Sequence, residues 1–128
     1  MKLSSVEVKA GQRVSGRYKR GGRDASDLSI AVAAPIVYRG AGMLVGTNLA
    51  TGAIIGVYVD AFDPRSVKVE DGVEGDAFDV EGLYLTSGTR AFAFIESVKP
   101  EDREWAEVLD GKPIESLAVD NVRIVVAV

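Results

Sequence analysis

Apolar and polar positions alternate with a period of two along most of this chain, which predicts short β-strands. Val6-Glu7-Val8-Lys9 alternates, and Val14-Ser15-Gly16-Arg17-Tyr18 continues in an extended style. Leu28-Ser29-Ile30-Ala31-Val32 repeats the pattern with small residues between the large ones. Pro35 then removes a backbone donor before Ile36-Val37-Tyr38, so this stretch is expected as an edge strand or as two short strands. Residues 53–59 are almost continuously apolar and read as a buried central strand. Val67-Lys68-Val69 leads into Asp71-Gly72, a strong turn dipeptide. The clearest hairpin runs from Phe78 and Val80, alternating with Asp79 and Glu81, through Gly82 and Tyr84. It turns at Thr86-Ser87-Gly88-Thr89 and returns along Ala91-Phe92-Ala93-Phe94-Ile95.

One segment has helical character. Pro100 suits a first helical position, and Glu101 and Asp102 follow where the helix dipole favours negative charge. Trp105, Val108 and Leu109 share one narrow apolar face, Gly111 ends the helix, and Pro113 prevents its resumption. The chain closes on Val122-Arg123-Ile124-Val125-Val126-Ala127-Val128, apolar on both faces of a strand. That predicts burial on both sides, within the fold or under a neighbouring subunit. Short strands and 14 glycines define the expected class: all-β, a small barrel or sandwich with one short helix near residues 100–110.

Charge divides the chain. Residues 1–23 hold seven basic residues against Glu7 alone, while residues 24–128 hold eight basic and eighteen acidic ones. The expected organisation is a basic N-terminal arm, 1–23, on a single acidic β domain, 24–128. Within the arm, Arg17, Tyr18, Lys19, Arg20 and Arg23 surround a glycine pair, with Arg13 just upstream. These six residues are the candidate partner-binding set: the charges steer, the tyrosine packs and the glycines let the backbone conform. The same residues would serve single-stranded nucleic acid, with Tyr18 stacking a base, or would form a solvated strand end.

Composition narrows the chemistry. The chain has no cysteine and no histidine, which excludes disulfides, thiolate metal sites and histidine-based nucleophilic catalysis. No enzyme activity and no cofactor or metal are expected. The acidic stretch from Asp60 to Glu81 lacks the spacing of a calcium loop and reads as solvated turns or as a surface for a basic partner. The glycines at 40, 42 and 46 are misspaced for a dinucleotide loop and read as turn residues. The aromatics sit mostly in apolar company and read as core. No apolar run reaches the ~20 residues of a membrane span, and Lys2 and Glu7 leave no room for a signal-peptide core.

Residues 40–85 resemble the small glycine- and valine-rich β-proteins that decorate tailed-phage capsids. The residues that carry the resemblance are Met43-Leu44-Val45-Gly46, Val57-Tyr58-Val59-Asp60-Ala61 and Val80-Glu81-Gly82-Leu83-Tyr84, with Val122-Arg123-Ile124-Val125 at the end. It implies a virion protein that cements a capsid, assembles as a multimer and binds protein subunits. Gly75-Asp76-Ala77-Phe78-Asp79-Val80-Glu81-Gly82 looks like the strand entry of OB-fold proteins, which implies the alternative, a cytoplasmic single-stranded nucleic-acid binder.

Overall fold

The structure is a computed structural model and describes residues 2–20, 24–86, 93–108 and 111–128. Among the described residues, ten strands form three antiparallel sheets. Strands β1 (Leu3–Val8) and β10 (Val122–Ala127) make a two-stranded ribbon. Strands β2 (Gln12–Tyr18), β3 (Ser26–Tyr38), β4 (Ala41–Asn48), β5 (Ile54–Tyr58) and β6 (Lys68–Asp71) form the central sheet, in the order β5-β4-β3-β2-β6. Strands β7 (Leu83–Thr86), β8 (Phe94–Ser97) and β9 (Lys112–Pro113) form the third, with β7 in the middle. Helix α1 (Arg103–Val108) follows a 3-10 turn at Pro100–Asp102, and the one-turn α2 spans Ile114–Leu117. The fold is mostly β, as expected, with its sheets stacked in layers and no closed barrel.

The central sheet is buried on both faces along β4 and much of β3, where consecutive residues point to opposite sides and enter different cores. Leu44 enters a core with Val8, Val14, Ile30, Val57 and Ile124, beneath the β1–β10 ribbon. Its neighbours Met43 and Val45 enter a second core with Ile36, Leu83, Leu85 and Ile114, beneath the third sheet. Fully burying a side chain of this size contributes roughly 1.5–3 kcal/mol.

Pro35 does not split β3. The strand runs 13 residues with a bulge between Val32 and Ala34. That extra residue re-aims the strand, so Val32 serves the first core and Ala34 and Ile36 the second. The carbonyl of Pro35 accepts the Val119 N–H, on the flank away from β4. A residue's N and C=O share a side of a strand, so the missing donor costs no β3–β4 ladder bond.

Residues 53–59 are central in burial only. β5 is the edge of its sheet, and the third sheet abuts it through one bridge, Gly56 to Ala93. A Cβ at Gly56 would lie 2.6 Å from the tip of the Ile95 side chain and 3.0 Å from Ala93 Cβ, so a larger residue here would make Ile95 move.

The expected hairpin begins only at Leu83, since residues 72–82 form turns and irregular chain. That also removes the OB-like strand entry at 75–82. The turn at 87–89 lies outside the described residues. Trp105 is 41% exposed, and Ala106 is buried against Tyr84 and Val98. Leu109 and the Val108 side chain lie outside the description. Gly111 closes the helix by donating to the Ala106 carbonyl. Pro113 does not prevent resumption, because it takes the N-cap position of α2.

Candidate protein-docking surface

The basic segment is built into the sheets and does not stand apart as an arm: residues 3–8 and 12–18 are β1 and β2. Alternation along β2 turns Val14 and Tyr18 inward and Arg13, Ser15 and Arg17 outward. Arg13 Nε donates to Asp76 Oδ2 at 2.8 Å. That bond, helped by the Val73 N–H on the same oxygen, holds the Asp76 carboxyl below its ordinary pKa and raises that of Arg13. Arg17 faces Asp27, its cross-strand partner on β3, at 3.8 Å. Arg20 stacks on the Tyr58 ring, 3.5 Å from its centroid, and lies 3.7 Å from Asp60. Lys19 is exposed, and its N–H donates to the Ala61 carbonyl. Arg23 lies outside the described residues.

Tyr18 is a core residue and not a contact residue. It is 2% exposed, meets Phe62 edge-to-face at 5.2 Å and accepts the Tyr58 N–H on its hydroxyl. Burial pushes its pKa up. The charge split along the sequence is therefore a set of cross-strand pairs in space, and the basic candidates do not gather into one uncompensated patch.

The acidic stretch supplies the other half of those pairs: Asp60, Asp76 and, within the stretch itself, Asp63 to Arg65 and Glu70 to Lys68. Asp63 is held below its ordinary pKa by the Arg65 N–H and guanidinium. Asp71, Glu74, Asp79 and Glu81 face solvent. Among the described residues, no three carboxylates converge to hold a metal ion. An open hollow of about 240 Å³ lies where the Gly11-Gln12 turn meets residues 72–78. A shallower groove carries Ser15, Ser29 and Ser66, but the Ser66 hydroxyl is engaged, accepting the Arg17 N–H and donating to the Asp63 carbonyl.

Strand β1 has unpaired bonding capacity along one side. The N–H of Val128 donates to the carbonyl of Lys2, which makes that opposed pair a hydrogen-bonded one. Such pairs alternate along an antiparallel ladder, so Ser4, Val6 and Val8 bond to β10, while Leu3, Ser5 and Glu7 turn their N–H and C=O groups away from it. Those outward N–H groups have no partner among the described residues. The same three side chains share the outer face of the ribbon with Arg123, Val125 and Ala127. Leu3 is 56% exposed, Val125 44% and Val128 81%. Arg123 crosses this face to Glu7 at 3.5 Å and donates to the Ser5 hydroxyl at 3.2 Å.

Comparison with protein families, curated sequences and solved structures finds no match. The candidate surface therefore stands on geometry. The basic-segment reading missed Leu3, Ser5, Glu7 and Val125. Their signal was the terminal strand, apolar on a face that the described residues leave open.

Proposed function

We propose that this chain is a non-enzymatic structural protein of a virion, decorating or cementing a capsid through contacts between protein subunits. The observation that carries this reading is the open edge of β1 beside the exposed Leu3, Val125 and Val128. An unpaired edge accepts an extended strand from a neighbour through main-chain hydrogen bonds, and adjacent apolar side chains add burial. The resemblance of residues 40–85 to capsid decoration proteins supplies the setting.

The single-stranded nucleic-acid alternative draws less support. Its stacking residue, Tyr18, is in the core, and Arg13, Arg17 and Arg20 each face a carboxylate. Native mass measured with and without a single-stranded dT oligomer separates the readings. The protein-docking reading predicts no shift with the oligomer near physiological salt. A monomer that the oligomer converts into a tight, salt-tolerant complex overturns it.

A further inference from the structure

We infer that the strand seated on the β1 edge is β1 of a second copy, related by a two-fold axis through Ser5. Two β10–β1 ribbons then join as one four-stranded antiparallel sheet. This deepens the docking reading and rests on it.

The register follows from which groups point outward. Along β1, Leu3, Ser5 and Glu7 present N–H and C=O groups to the edge, and the Ser5 carbonyl there also accepts from Arg123 Nη1 at 3.4 Å, which leaves its second lone pair for a partner strand. A two-fold axis at Ser5 opposes Ser5 to Ser5 of the partner subunit and Leu3 to Glu7 of the partner subunit. All three outward residues then sit in hydrogen-bonded pairs. Sliding the strands by two residues in either direction opposes one of the three to a residue outside β1.

Charge does not oppose this register. Lys2 faces Val8 of the partner subunit, Ser4 faces Val6 of the partner subunit, and no like charges are opposed. Glu7 arrives already neutralised by Arg123 at 3.5 Å, so the two Leu3–Glu7 rows are neutral, and Lys2 is the one charged side chain in its row. Small serines at the centre permit close approach. Leu3 of each copy is covered by the aliphatic stem of Glu7 from the other. The contact is self-complementary and consumes both free edges, so assembly through it stops at two copies.

The absence of cysteine makes the register directly testable. Opposed residues in a hydrogen-bonded antiparallel pair have Cα atoms about 5.5 Å apart, within the range of a disulfide. Ser5→Cys should give a covalent dimer under mild oxidation. Leu3→Cys and Glu7→Cys should form no covalent dimer alone and cross-link when mixed. In sedimentation, wild type should show a concentration-dependent dimer. Ser5→Pro should remove it while the far-UV spectrum persists, because proline deletes an N–H that β10 does not use. A Leu3→Cys chain that self-links as fast as Ser5→Cys overturns the register. A wild-type chain that is monomeric at its highest soluble concentration overturns self-pairing but leaves the docking reading standing. A shift caused only by the dT oligomer overturns the docking reading itself.

Discussion

Strands β1 and β6 each end a sheet, and they end it differently. β6 is four residues long, and three of the four are charged: Lys68, Glu70 and Asp71. The Gly72 N–H bonds to the Gly11 carbonyl, so β6 offers only Val69 and Asp71 to its free side. β1 is six residues long, carries one charge, and places two serines mid-strand. Short, charged edges resist pairing with other chains, whereas a longer and nearly neutral edge invites it. The third edge, β5, is already covered at Gly56 by Ala93. The fold thus protects two of these edges and leaves β1 open, with exposed apolar residues beside it.

Removing residues 122–128 tests that comparison most severely. It takes Val122 and Ile124 out of the first core and strips β1 of its only ladder. The loss is several kcal/mol for the two side chains alone, against a typical total of about 5–15 kcal/mol. Thermal unfolding followed by circular dichroism should show no cooperative transition. A truncated chain that melts normally would make the ribbon an appendage rather than part of the core.

Opening the guarded edge sharpens the contrast. Replacing Lys68, Glu70 and Asp71 with serine should leave the melting temperature within a few degrees, because such surface substitutions usually fall within ±0.5 kcal/mol. The variant should gain a second mode of association in sedimentation, seen as species larger than a dimer. If its mass distribution matches wild type, edge charge is not what keeps β6 unpaired.

Two predictions concern the body that holds these edges. Thr47 is 9% exposed, and its Oγ1 is buried with no hydrogen-bond partner. Thr47→Val keeps the shape and removes an unsatisfied group, so it should raise stability by about 1 kcal/mol, measured as a higher urea midpoint. The smallest effect concerns acid. The folded-state pKa of Asp76 lies below its unfolded value. Its contribution is therefore complete above the unfolded value and disappears as pH falls through the folded one. Asp76→Asn should flatten the fall in urea midpoint across that acidic window and leave the midpoint's pH dependence near neutrality unchanged. An unaltered acid limb would show that the Arg13–Asp76 bond does not contribute in solution.

Much of the fold could be read from residue order, because it depends on local signals. Gly40 with its positive φ, beside Arg39, turns β3 into β4 where the glycine run predicted. Pro100 and Gly111 bracket the helical segment as their chemistry requires. The missed features depend on distant partners. Nothing near Pro35 announces that Val119 will take its carbonyl, and nothing near Arg13 announces Asp76, 63 residues away. The charge split pointed to the basic residues as the site, and tertiary pairing cancels most of that signal. The terminal strand carried a different signal: Val125 is apolar on a face that the described residues leave open, and Val128 is exposed at its end.

Backbone amide exchange measured at low and high protein concentration tests the central claim most directly. The amides of Ser4, Val6 and Val8 bond to β10 and should exchange slowly at both concentrations. Those of Leu3, Ser5 and Glu7 should exchange quickly in dilute solution and become protected as concentration rises. Fast exchange at those three positions regardless of concentration would contradict a β1 edge built to receive a second copy.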